Sequence, residues 1–543
     1  MRLPRRATNA ILAALILTNL ALRLPTSDHE LGVDSFVWHG MATSLDRNDY
    51  ARWILSPLSY VGLFPLSHPS GSPFLTVATS DLMGLAGEAS ILAMDLIIAV
   101  LGILVSFMLG WEFMRNSTFA LLFAAVLSLT PEMLTALAWQ MPTRIMFTTL
   151  LPLFLWGLIR LAREPARRNA VVAGTTFLLM MSFHRLTILV ALVATAYVIT
   201  GILLTLLRML RSYRPSLFLR PSFLRRIPLL SLAAVAAVAA GTLLLTDVLE
   251  EYSVGVVASG DTVEIQLLNL AVSLARGSGL LLPLAFVGVI VVAFRRNKTI
   301  KEPFILVGFL VFIPMLFLRQ YTSYYTVPFT ALFIAFGLFA LLQRLKSRRS
   351  RMICATAASA FLLVTSASIA SYDLALTSHM SSETYNGALY LGNLRVGTVL
   401  TNEGLIGSRL HAISGTPYLP VGGATTAFQS PELLMFGFLA AAEVVENVVQ
   451  IPPQDLTIDS DSLFVLPDVQ AEADWVAILS SSPDEVPAQF ARYNIVYAFE
   501  SKTLEGSFTA YGNTYYSRFF TYVDTQRYEC YEDGRGTIYF VGD

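Results

Sequence analysis

Apolar runs dominate the first two thirds of the chain and stop near residue 371. They lie at 7–25, 88–113, 117–134, 143–162, 169–183, 186–208, 228–247, 278–294, 303–318, 322–343 and 352–371. Each approaches the roughly 20 residues that a helix needs to cross about 30 Å of hydrocarbon. The pattern predicts about eleven transmembrane helices. Residues 26–87 interrupt the series with polar, aromatic and Pro/Gly positions. Within them Phe36, Val37, Met41 and Leu45, and again Phe74, Leu75, Ala78 and Leu82, recur at near-helical spacing. These predict two helices along the membrane surface with their apolar faces in the interface. After residue 371 the period shortens: VGTVLTN, YNIVYAF and GTIYFVG read as strands and residues 431–449 as a helix. A mixed α/β domain is expected there.

Composition agrees with the pattern. Of 543 residues, 55% are hydrophobic and 14% charged, against about 25% charged in soluble domains; mean hydropathy is +0.61. The net charge of -1 conceals two unlike parts. Residues 372–543 carry 21 Asp/Glu and 7 Lys/Arg, leaving 17 acids and 30 bases for residues 1–371. A basic membrane part, 1–371 with its large outer loop 26–87, and an acidic soluble part, 372–543, belong in different compartments.

Orientation follows from the short connections, because Lys and Arg accumulate on the cytoplasmic side. With the N-terminus inside, alternate loops hold Arg115, then Arg160 to Arg168, six arginines from Arg208 to Arg226, Arg295 to Lys301, and Arg344 to Arg351. With Arg2, Arg5 and Arg6 these make 23 of the 30 bases. The acidic domain is then extracytoplasmic and the chain a multi-pass protein of the cell membrane. Run 7–25 offers a poor cleavage site and reads as a retained helix. Both N-x-[ST] matches, Asn116 and Asn297, fall in cytoplasmic loops. Cys354, in a predicted span, and Cys530, in the terminal domain, do not suggest a disulfide framework.

Chemistry is then expected at the outer face. The inner loops are short, and neither a GxxxxGK[ST] loop nor a strand–GxGxxG–helix unit occurs. An activated substrate would therefore arrive attached to a lipid. No feature suggests nucleic acid as a partner. Asp34 is the leading acid, about ten residues past the first span, with His39 one and a half helical turns onward. A carboxylate near an apolar surface suits a base for an acceptor hydroxyl or a share in a divalent cation, Mg or Mn, with a phosphate; the plainer alternative is a helix N-cap. Asp28, His29 and Glu30 read as ordinary loop charges. Arg144, His184, Arg185 and Arg319 stand at the outer ends of spans, where guanidinium forks suit a lipid phosphate and snorkelling is the alternative. Glu132 reads as a second acid or as a helix-start acid after Pro131. Tyr321, Tyr324, Tyr325, Trp38, Trp53 and Trp139 fit a sugar or lipid groove, or an interfacial aromatic belt.

The order of parts resembles the GT-C superfamily of membrane glycosyltransferases, which includes protein O-mannosyltransferases, aminoarabinose transferases and the oligosaccharyltransferase catalytic subunit. GVDSFVWHGMATSL, SPLSYVGLFPLSHPSGSPFLTVATSDLMGL, MSFHRLTILV, RQYTSYYTVPF and TNEGLIGSRLHAISGTPYLP carry the likeness, which is nearest to archaeal-type members. It implies a GT-C-like helical domain in which Asp34 occupies the place of the first-loop catalytic acid and Arg319 that of a donor-phosphate group. Two departures matter. Ser35 follows Asp34 where mannosyltransferase-like members carry an Asp-Glu pair, and the WWDYG motif of oligosaccharyltransferases is absent.

Together these imply transfer of a sugar from a polyprenyl-phosphate donor to a lipid, glycan or protein acceptor at the outer membrane face, among membrane lipids. Asp34 is the expected base. Arg144, His184, Arg185, Arg319, Tyr321, His39 and Glu132 are the expected substrate contacts. A lipid or polysaccharide transporter would instead show broken helices around a midplane site. A non-catalytic scaffold would bury Asp34 in a simple cap.

Overall fold

The computed structural model describes residues 3–51, 69–184, 263–295, 301–318, 323–375, 380–394, 397–402, 404–419, 471–501 and 536–541, with shorter pieces between them. In chain order the helices are α1 (Arg5–Ala21), α2 (Val33–Asn48), α3 (Gly71–Met83), α4 (Gly87–Met114), α5 (Ser117–Ser128), α6 (Pro131–Thr135), α7 (Thr143–Arg163), α8 (Arg167–Phe183) and α9 (Val263–Ser278). They continue as α10 (Pro283–Phe294), α11 (Lys301–Leu318), α12 (Ser323–Arg344), α13 (Arg348–Ala375), α14 (Ser382–Gly392), α15 (Gly404–Ser414), α16 (Ala471–Leu479) and α17 (Pro487–Tyr493). The strands are β1 (Trp53–Leu55), β2 (Leu63–Phe64), β3 (Thr398–Thr401), β4 (Phe464–Val465), β5 (Ile495–Ser501), β6 (Glu529–Asp533) and β7 (Gly536–Phe540).

These elements form two compact units. One comprises Met1–Leu24, Leu96–Leu137 and Thr143–Leu374; the other comprises Pro25–Asp95, Ala138–Pro142 and Ala375–Asp543. The first outer segment thus groups with the C-terminal residues, whereas a boundary at residue 371 would group it with the helices.

Among the described residues α4, α7, α12 and α13 are long and apolar enough to cross a membrane, and the pair Ala271–Ser278 and Pro283–Phe294, bent by 92°, would make a broken fifth span. Several expected runs appear in altered form. Run 117–134 ends as helix at Ser128, because Thr130 caps a new short helix that begins at Pro131. Run 228–247 lies outside the described residues, as does most of 186–208 and the expected helix 431–449. On α13 Met352, Ile353, Phe361 and Val364 are exposed, as apolar side chains facing lipid would be.

Close backbone approach sets the helix packing. α10 crosses α12 where both carry glycine: a Cβ on Gly288 would collide with the Phe333 carbonyl, and one on Gly337 with that of Leu284. Small residues at such crossings let backbones meet. Two buried charges are matched. Arg23, 1% exposed, donates to the Asn19 side chain at 2.7 Å and to the carbonyls of Ser128 and Met133 at 3.0 and 2.9 Å. It thereby satisfies carbonyls freed where α5 stops. At another set of helix ends Glu112 receives Arg163 at 2.6 Å and Arg115 at 2.9 Å, while Lys301 Nζ donates to its carbonyl at 2.9 Å. Three bases assigned to the inner side by their loops meet at this one glutamate, two on its carboxylate and one on its backbone carbonyl.

In the other unit, β3 pairs in parallel with β5, and β5, β7 and β6 pair antiparallel in the order β3-β5-β7-β6. The three expected strands are present; β6, sequence ECYED, lacks an apolar alternation and was not legible. Neighbouring residues enter opposite layers. Leu400, Ala498 and Tyr539 join Trp475 and Ile478 on one face, whereas Val399, Tyr497, Phe499 and Ile538 join Leu391, Ile406 and Phe36 on the other. A sheet buried on both faces explains its nearly continuous apolar strands.

Phe36 corrects one expectation. α2 and α3 both form, but Phe36 has no exposed surface and packs in the α/β core, so this side of α2 meets protein rather than lipid. Phe74, Leu82 and Met83 of α3 are exposed, as an interfacial face requires. Cys354 and Cys530 are both free thiols. We expect Gly337→Leu to overpack the α10–α12 crossing by about 1–3 kcal/mol or more, read as a fall in thermal unfolding temperature in detergent; unchanged unfolding would contradict the close approach.

Candidate active site

The site in the unit containing α2 is built at the entry to that helix. Gly32 holds φ +88° as the N-cap residue, and a Cβ there would press on Gln140 Oε1 at 3.0 Å. Asp34 follows in the first turn and is exposed. The residue at the cap is therefore Gly32, not Asp34, and the carboxylate is left facing outward near the positive end of the helix dipole.

His39 lies about one and a half turns on and is buried, as are Glu30 and Ser35. His39 Nδ1 meets Glu30 Oε2 at 2.6 Å, and the Ser35 hydroxyl donates to the other oxygen of Glu30. Burial opposes the charged imidazolium, but the charge and hydrogen bond of Glu30, with Glu88 adding to them, outweigh it and raise the His39 pKa above its ordinary value. A second acid–base pair lies beside the first. His29 Nδ1 is 3.3 Å from Glu88 Oε2, the Glu30 backbone N–H donates to Glu88 Oε1 at 3.1 Å, and the His29 ring stacks on Tyr385 at 4.0 Å between centroids. Trp139 Nε1–H donates to the Glu88 carbonyl at 2.9 Å. By sequence Glu30 and His29 are ordinary loop charges, and nothing distinguishes Glu88 or Tyr385. A loop carboxylate that precedes its helix leaves no periodic signal.

In the helical unit, Glu132 and Arg144 are brought together through Tyr324, whose hydroxyl is hydrogen-bonded to both. Glu132 stands in the first turn of α6, Arg144 in that of α7 and Tyr324 at the start of α12. Helix starts contribute positive dipole ends as well as side chains, a setting suited to an anion. Nearby, Arg276 closes on Asp373 through Nη2 and Oδ1 at 2.6 Å, and both exert charge on Glu132. His184 ends α8 in extended conformation, half-buried. Arg185, Arg319 and Tyr321 lie outside the described residues. Of the aromatic-belt candidates, Tyr325 is 1% exposed and packs on Phe147, and Trp38 is also buried. Neither sits at an interface.

Among the described residues no three His, Cys, Asp or Glu side chains are gathered to hold a metal.

No protein-family model and no curated protein sequence matches the chain. Solved structures do. The chain has the fold of the GT-C superfamily of membrane glycosyltransferases, a membrane helical domain with a C-terminal α/β part. It superposes on the oligosaccharyltransferase of Archaeoglobus fulgidus in the apo form with a TM-score of 0.56 and 13% identity, covering 92% of this chain and 70% of that one. The archaeal oligosaccharyltransferase AglB from the same organism, in complex with an inhibitory peptide and a dolichol-phosphate, gives 0.54 and 12% over 91% and 69%. The arabinofuranosyltransferase AftD from Mycobacteria gives 0.52 and 14% over the whole of this chain and 42% of that one. At these identities the likeness is one of fold.

The raised pKa of His39 has a consequence for stability. Its pairing contributes fully below the unfolded value of about 6.5 and is lost as pH rises through the higher folded value. His39→Gln is expected to cost about 3–5 kcal/mol below about pH 6.5 and progressively less above it. Thermal unfolding of both proteins across that range checks this; a gap that widens with pH would contradict the ion pair.

Proposed function

We propose that the chain is a membrane glycosyltransferase that moves a sugar from a polyprenyl-phosphate donor to an acceptor at the outer face. The carrying observation is the superposition of over nine tenths of the chain on AglB, whose structure holds a dolichol-phosphate. The placement of Arg144 with Tyr324 at helix starts supports it. So does the separation of a basic helical part from an acidic α/β part.

In this reading the acceptor hydroxyl gives its proton to the exposed Asp34 carboxylate as its oxygen bonds to the anomeric carbon. The bond from that carbon to the phosphate oxygen breaks, and polyprenyl phosphate leaves with the electron pair. The configuration inverts. Arg144 binds the donor phosphate and takes up the charge that grows on it, a task for which a guanidinium fork is better shaped than an ammonium. Arg185 and Arg319 are assigned to the same phosphate, and His184, Tyr321 and His39 to substrate contact. Tyr324 holds the guanidinium of Arg144 and ties it to Glu132, so that Arg144 is positioned before the donor arrives. The N-terminus is assigned to the cytoplasm by the loop charges.

The test uses the full chain in lipid nanodiscs with a polyprenyl-phosphate-linked radiolabelled sugar, following label transfer and release of polyprenyl phosphate. Asp34→Asn is expected to lower the transfer rate by about 10²–10⁴ without changing thermal unfolding. Unchanged transfer would remove Asp34 as the base. Arg144→Ala is expected to raise KM for the donor by about tenfold or more, with Arg144→Lys recovering part of the loss. A KM that does not move would remove the phosphate assignment.

A further inference from the structure

The unit containing α2 holds a cleft of about 420 Å3 whose lining includes neither Asp34 nor Arg144. Its size falls within the range of about 300–1,000 Å3 typical of small-ligand sites. α2 supplies Thr43, Asp46 and Arg47 to its wall, the start of α4 supplies Glu88, and Trp139 and Tyr385 add two aromatic side chains. His39 also lines it, with Nδ1 engaged by Glu30. Its other ring nitrogen lies against Gly87, where any Cβ would collide with it; only glycine leaves that nitrogen room at the cleft wall.

The lining selects its ligand by chemistry. Asp46 and Glu88 outnumber Arg47, His39 is taken up by Glu30, and Arg47 is already partly engaged, donating to the Ser414 carbonyl. A phosphate or other anion would need a surplus of positive charge, which this cleft lacks. A purely apolar chain would strand the carboxylates. Aromatic side chains beside carboxylates, a hydroxyl and a guanidinium instead match a ring with C–H faces and hydroxyl edges. We propose that this cleft holds a part of the acceptor remote from its reacting hydroxyl, and that this part is an uncharged, hydroxyl-rich carbohydrate. The inference rests on the transferase reading and names the substrate class for it.

The test is saturation-transfer NMR on the full chain in nanodiscs, with methyl mannoside, methyl glucoside and methyl arabinofuranoside as probes. Signal at the ring protons of at least one glycoside is expected from the native protein. It should be lost both in Tyr385→Ala and in Ala89→Trp, which fills the cleft from an exposed position, with thermal unfolding preserved in at least one of the two. No signal from the native protein, or signal unchanged in both variants, would overturn the proposal. Displacement of the glycosides by inorganic phosphate would overturn it in favour of an anion site. Sugar transfer in nanodiscs without glycoside binding would overturn this inference alone. Glycoside binding without any transfer from polyprenyl-phosphate donors would overturn the transferase reading and the acceptor role with it.

Discussion

Glu30 has no exposed surface, and a carboxylate so placed costs several kcal/mol unless charge and hydrogen bonds meet it. His39 and Ser35 meet it. Because both belong to the first turns of α2, the pairing sets the rotation of that helix. At about 100° per residue, a His39 turned toward Glu30 brings Phe36 to the same side, where it enters the α/β core. Asp34 is then carried well round the helix, where it is exposed. The inward groups satisfy one another, and the Asp34 carboxylate faces outward.

The same constraint governs the helical unit. Arg23 is a buried charge and is matched by carbonyls at the broken end of α5. Glu112, also buried, gathers bases from three loops. Where no polar group must be matched, packing is by backbone proximity, as at Gly288 and Gly337. Tyr324 belongs to both descriptions. It begins a helix that packs tightly, and its hydroxyl joins an arginine to a carboxylate.

Much of the fold was legible in the hydropathy. The 3.6-residue and 2-residue periods and the apolar runs give four helices long and apolar enough to cross a membrane among the described residues, α2, α3 and three of the four strands of the larger sheet. β6 escaped because ECYED has charges where an edge strand tolerates them, and the break after Ser128 escaped because Thr130 and Pro131 interrupt a run that stays apolar. In the site, Arg144 and Glu132 stood out as charges at span ends, yet nothing in their spacing joined them; Tyr324, 180 residues after Arg144 in the chain, does so. Glu30 and His29 looked like solvated loop charges because burial is not written into a polar loop.

The sequence by itself determined which segments are apolar enough for a membrane, where the charge changes sign and which residues have chemistry to offer. Those are local quantities, since transfer free energy and ionisable groups are carried residue by residue. Only the tertiary structure decided which charges are buried, which pairs meet and which side of α2 faces protein. Such outcomes depend on groups far apart in the chain sharing one desolvated space, and no single window of sequence contains both partners.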